Sequence, residues 1–125
     1  MKILLVMPHP NPNRNFLTKF QYPCLTLQQV AAITPEEYDV EIIDERYVDI
    51  DFNKNYDLVG ISTLTYNSIR GYEIAKIFRK KGIPVVFGGY HASLMPDEVK
   101  KHSDSVVIGE AEYTWPKLLE DFRKG

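Results

Sequence analysis

Leu58-Val59-Gly60-Ile61-Ser62-Thr63-Leu64-Thr65 decides the fold. It opens as a continuous apolar run and closes in small hydroxyl residues. A strand buried on both faces that delivers polar atoms to a binding edge has this pattern. A helical pattern follows directly. A second apolar run, Val85-Val86-Phe87, then ends in Gly88-Gly89. Two such runs with a helix between them place small residues at one edge of a parallel sheet. The remaining chain supports that edge.

Upstream, Ile3 to Met7 reads as a buried first strand, with Pro8 closing it. With one basic residue, a short apolar core and no small-residue cleavage site, it reads as a strand and not as a signal peptide. Pro8 to Asn15 holds three prolines, which fix φ and remove donors, so it reads as a stiff loop. A helix is expected from Tyr22-Pro23 through Ile33, stopped by Thr34-Pro35. Cys24 at its start reads as a small core residue. Tyr38 to Asp44 reads as a strand nearer the sheet edge, and Asp49 to Asp57 as an irregular crossover.

Downstream, Asn67 or Ser68 is placed to cap a helix whose stripe is Ile69, Tyr72, Ala75 and Phe78, widened by Ile74 and Ile77. Gly82 suits its C′ position. A short helix is expected around Pro96 to Lys101, with His102 solvated at its end, and a fifth strand over Ser105 to Ile108. Trp115, Leu118, Leu119 and Phe122 give a last amphipathic helix, with Pro116 confined to its first turn.

The expected fold is therefore α/β. It is a doubly wound, Rossmann-like sheet of five parallel strands in the flavodoxin-like order 2-1-3-4-5. A ligand then sits beyond the carboxyl ends of strands one, three, four and five.

Length and composition agree with one domain over residues 1–125. Apolar residues make up 44% and charged residues 26%, as in ordinary globular domains. A net charge of −2 with mixed signs offers no nucleic-acid groove, and no apolar run reaches the ~20 residues of a membrane span. One cysteine excludes an internal disulfide and a multi-cysteine cluster. Together these features point to the cytoplasm.

The strand ends exclude several ligands. No G-x-G-x-x-G follows the first strand, and no G-K-[ST] is present. The third strand ends in Ser62 rather than the Asp of a phospho-receiver. Pro8 to Asn15 is poor in the hydroxyls that a flavin phosphate needs. What remains is a slot between strands three and four. Gly88 and Gly89 let a backbone approach a bulky ligand, and Ser62 and Thr63 offer uncharged hydroxyls.

S-x-L followed by G-G resembles the cobalamin-binding domains of mutases and methionine synthase. That resemblance implies that Ser62 bonds the buried dimethylbenzimidazole tail and that Gly88 and Gly89 make room for it. The family's first element, D-x-H-x-x-G, is missing from Pro8 to Asn13. A closer resemblance covers nearly the whole chain. Lys2–Val6 with Pro8, Tyr22–Leu27, Val59–Ser62, Gly88–Ala92 and Gly109–Glu112 are similar to the N-terminal cobalamin-binding domains of class B radical S-adenosylmethionine enzymes. Ala111 stands where that family often has glycine.

The resemblance implies cobalamin held by Ser62, Thr63, Leu64, Thr65, Gly88, Gly89, Tyr90, His91, Gly109 and Glu110, without a protein histidine on cobalt. Glu110 and Glu112 either accept from the ligand or favour the last helix's N-terminus. His91 either faces the ligand or bonds a backbone carbonyl, and His9 lies in the loop suited to an axial contact. The resemblance also implies a partner, a C-terminal radical S-adenosylmethionine domain. The iron–sulfur cluster and S-adenosylmethionine belong there, since this chain lacks C-x-x-x-C-x-x-C. The chain alone then reads as a binding module excised from an enzyme of methyl transfer or rearrangement. The alternatives are a cofactor-free interaction domain of the same fold and a flavin-binding electron carrier.

Overall fold

The computed structural model describes residues 1–9, 25–108 and 111–124. Five parallel strands form one sheet in the order β2-β1-β3-β4-β5. They are β1 (Lys2–Met7), β2 (Asp39–Asp44), β3 (Leu58–Ser62), β4 (Val85–Gly88) and β5 (Ser105–Val106). The expected strand order and direction are borne out. The helices are α1 (Leu25–Ala32), α2 (Ser68–Lys80), α3 (Tyr90–Leu94), α4 (Pro96–Lys100) and α5 (Ala111–Lys124).

Successive strand residues point to opposite faces, so each apolar strand feeds two cores. Ile3, Leu5, Leu58 and Val86 pack with Leu27 of α1 and with Trp115 and Leu119 of α5. Leu4, Val6, Val59, Ile61, Val85 and Phe87 pack on the other face with Ile74, Ala75 and Phe78 of α2. Ala92 of α3 and Val99 of α4 complete that second core. This double burial is why β1 and β3 read as unbroken apolar runs.

The crossover from β2 to β3 carries no helix. Ile50, Tyr56 and Phe52 fill its place, the two aromatic rings packing on Phe78 at 5.3 Å (Phe52) and 6.1 Å (Tyr56) between centroids. Burial, then its hydrogen bond to Glu41, raises the Tyr56 phenol above its ordinary pKa.

Gly82 ends α2 as expected, at φ 79°. Its N–H donates to the Arg79 carbonyl and that of Ile83 to the Phe78 carbonyl, the paired bonds of a Schellman motif.

Three local expectations are corrected. The buried face of α2 is Ser68, Gly71, Ile74, Ala75 and Phe78, while Ile69 is 68% exposed. The face is rotated because Gly71 lets the helix lie close on β3. A Cβ at Gly71 would stand 2.8 Å from the Thr63 methyl and 3.2 Å from the Phe87 ring. Strand β5 stops at Val106, and although the Val107 N–H still donates to the Phe87 carbonyl, Ile108 is solvent-exposed. Pro116 lies inside α5 rather than in its first turn, so the helix forgoes one i→i−4 bond there. His102 is exposed just after α4, as expected, and its ring also stacks on Tyr72 at 3.9 Å. Of the first expected helix, residues 22–24 lie outside the described residues, as does Cys24 with them.

Candidate functional site at the strand carboxyl ends

The parallel register brings Ser62 at the end of β3 directly beside Gly88 at the end of β4. Both occupy the strand positions that face α1 and α5, two residues beyond Gly60 and Val86 respectively. Gly60 lies against Leu5 and Trp115: a Cβ there would meet the Leu5 side chain at 2.8 Å and the Trp115 ring at 3.7 Å. Gly60, Ser62 and Gly88 thus leave a shallow, side-chain-poor strip on this face, with Trp115 beneath it. Among the described residues, a Cβ at Gly88 would meet only Val107, at 3.9 Å. The described residues leave room for a side chain there, and the sequence places none.

Gly89 differs from its neighbour. It has φ 92° and ψ −176°, a conformation open to glycine alone. A Cβ there would fall 2.8 Å from the Thr63 carbonyl oxygen and 2.9 Å from Ser62 Oγ. Gly89 is therefore demanded by the turn from β4 into α3, whatever binds nearby. That turn is closed by backbone bonds. The Thr63 N–H donates to the Gly88 carbonyl at 3.2 Å, and the His91 N–H donates to the Thr63 carbonyl at 3.1 Å.

The other expected site residues divide by position. Thr63 is 1% exposed, and its methyl lies against the Gly71 position on the α2 side. Its hydroxyl has no hydrogen-bond partner among the described residues. Leu64 is 37% exposed at the edge, beside Thr65, which opens a 3-10 turn over Thr65–Asn67.

His91 is 4% exposed and turned into side chains rather than a backbone carbonyl. Its Nε2 is 2.9 Å from the Tyr72 hydroxyl and 3.1 Å from Glu98 Oε2, and its Nδ1 is 3.4 Å from Thr65 Oγ1. Burial, reinforced by Glu98, pushes the Tyr72 phenol up to about 12. Of Tyr90 only the backbone is described. Gly109 and Glu110 lie outside the described residues, and so does the side chain of Glu112.

Three residues at this edge were not read from the sequence as site residues. Asn67, wholly buried, accepts the Leu64 N–H on Oδ1 at 2.8 Å and donates from Nδ2 to the Pro8 carbonyl at 2.9 Å. It heads α2, but no side-chain bond caps that helix. Glu45, just beyond β2, accepts the His9 N–H at 3.1 Å. Arg70 holds Glu45 through two bonds, of 3.0 and 2.8 Å. Only their place beside the strand ends could have singled them out. His9 itself is 3% exposed.

A groove of about 670 Å³ lies elsewhere, along α2 and the segment after α4, with Tyr72, Ile83 and Pro84 among its walls. None of the expected site residues lines it. Among the described residues no cluster of His, Cys, Asp and Glu is arranged to hold a metal ion, and no helix is long and apolar enough to cross a membrane.

Comparison with known proteins shows the family. The B12 binding domain family matches residues 18–119. The chain is 42% identical to bacteriochlorophyllide d C-8(2)-methyltransferase of Chlorobaculum tepidum, over 78% of this chain and 22% of that protein. It is 36% identical to bacteriochlorophyllide d C-12(1)-methyltransferase of the same organism, over 81% of this chain and 23% of the relative. An uncharacterized methyltransferase of Pyrococcus horikoshii is 33% identical over 100% of this chain and 30% of its own length. The chain thus spans less than a third of each of these relatives.

Proposed function

The chain belongs to the B12 binding domain family, and from that premise we propose that it binds cobalamin as the cofactor module of a methyltransferase. The observation that carries the reading is the Ser62–Gly88 pair at the end of β3 and β4. Gly88 bears no side chain where the described residues would admit one, and Ser62 supplies a hydroxyl beside it. With Gly60 below, the strip fits a flat, bulky ligand tail lying along the sheet on the α1 and α5 face. Gly89 adds shape to the turn but does not itself argue for a ligand.

The chemistry that cobalamin supplies when bound is the carriage of a methyl group on cobalt. This chain's residues act on binding and placement. Ser62 offers a hydroxyl to a buried polar atom of the tail. Leu64 and Thr65 at the edge are assigned to the ligand with Tyr90, the first residue of α3, and with Gly109 and Glu110. Thr63, Gly89 and His91 fix that edge, chiefly through the backbone bonds of the β4–α3 turn. No histidine of the chain is assigned to cobalt: His91 Nε2 is engaged by Tyr72 and Glu98.

The partner we propose is a radical S-adenosylmethionine domain holding its own iron–sulfur cluster, since a single cysteine leaves no cluster site here. The bacteriochlorophyllide relatives make a methyl acceptor of tetrapyrrole type the first substrate class to try with the whole enzyme.

The test is a titration of the 125-residue chain with hydroxocobalamin, followed by visible absorbance and calorimetry. Saturable one-to-one binding in the micromolar range is expected. A folded chain that takes up no hydroxocobalamin at high micromolar concentration would refute the reading, and uptake of flavin mononucleotide instead would favour an electron carrier.

A further inference from the structure

We propose that Asn67 is a positioning residue that locks Pro8 and His9, directly after β1, to the loop after β3, so that a ligand seated at the β3 edge is registered at Pro8 and His9. The ligand named here rests on the cobalamin reading above; the lock itself does not.

The argument starts from the amide. Asn67 is 0% exposed, and both polar atoms of its side chain are used. A donor faces its oxygen and an acceptor faces its nitrogen, which fixes the orientation of the group. One end holds Leu64, in the loop that bears Ser62 to Thr65. The other holds Pro8, where the chain leaves β1, 59 positions away in sequence. Arg70, one turn further along α2, reinforces the same junction. It grips both carboxylate oxygens of Glu45, and Glu45 accepts the N–H of His9. The beginning of α2 therefore dictates where the first residues of the β1 loop lie relative to the β3 edge. Burial makes this costly to lose, because removing the amide strands a buried donor and a buried acceptor together.

The test follows individual amide protons by hydrogen exchange. Without ligand, Asn67→Ala is expected to speed exchange at both Leu64 and His9, by about tenfold or more. The Leu64 effect is direct. The His9 effect travels through Pro8, and acceleration at Leu64 alone would overturn the lock.

Asn67→Asp supplies a second reading that does not depend on the alanine variant folding. A protonated carboxyl has one donor and one acceptor and reproduces both bonds. An ionised one sets an acceptor against the Pro8 carbonyl. Burial and that carbonyl hold the introduced carboxyl above its usual range. After correction for intrinsic exchange, His9 in this variant should resemble wild type near pH ~5 and lose protection as pH rises toward ~8. A His9 protection that does not change with pH would also overturn the proposal.

With hydroxocobalamin added, wild type should gain protection at Leu64 and His9 together, and Asn67→Ala at Leu64 alone. Equal gains at both positions in both proteins would refute the coupling. If wild type binds no hydroxocobalamin, the cobalamin reading and the ligand coupling fall, while the two ligand-free arms still decide the lock.

Discussion

Gly88 and Gly89 are adjacent, identical and chemically different in role, and that difference is testable. Gly89 occupies a conformation that costs other residues roughly 1–3 kcal/mol, and a Cβ there would press on the Thr63 carbonyl. Gly89→Ala is therefore expected to lower stability by at least that amount without ligand, measured by chemical denaturation. Gly88 has no positive φ and, among the described residues, only an ordinary contact ahead of it. Gly88→Val should leave stability within about 1 kcal/mol, yet fill the strip beside Ser62 and weaken hydroxocobalamin binding about tenfold or more. Ser62→Ala should cost less, about 0.5–1.5 kcal/mol of binding. A Gly88→Val protein with full affinity would remove the β3–β4 strip from the site. The sequence made both glycines legible as a site feature. It could not divide their labour, because φ is a property of the folded turn and not of the residue pair.

At the scale of elements, α2 shows where periodicity misleads. Ile69 opens an apolar repeat that looks continuous with Tyr72, Ala75 and Phe78, yet it faces solvent. Gly71 sits on the buried side because backbone contact with the sheet is worth more there than another side chain. A hydrophobic pattern scores a glycine as nothing and so turns the helix the wrong way. Gly71→Ala is thus expected to destabilise the chain by roughly 1–3 kcal/mol through overpacking against Thr63 and Phe87. Ile69→Ser should change stability by less than about 0.5 kcal/mol. Paired thermal melts would check both, and a harmless Gly71→Ala would show that α2 can lift off the sheet freely. The same blindness hid Asn67: read as a possible cap, it spends both ends of its amide on loops. Its partner Pro8 is distant in sequence, so no local pattern points to the bond.

For the whole molecule, strand order was legible because apolar runs alternating with helices leave few right-handed ways to wind a parallel sheet. Which face each residue took was not, since a strand buried on both sides carries no alternation to read. That unread information places Trp115 under the strip formed by Gly60, Ser62 and Gly88. Trp115 is the chain's one tryptophan and is 3% exposed. Bound corrin absorbs where a buried indole emits, so hydroxocobalamin should quench this fluorescence in step with the absorbance titration. Binding without quenching would place the ligand away from α5. The rims of the sheet have their own consequence. Strand β5 offers two residues to a newcomer, and the longer rim strand β2 carries Asp39, Glu41 and Asp44. A second copy that tried to extend the sheet at β2 would run along a charged rim, where Glu41 pairs with Lys54 and Asp44 with Arg46, and at β5 it would find too little backbone to grip. Resistance to fibril growth by strand addition is thus written into the margins of the sheet, leaving its carboxyl end free to be sticky.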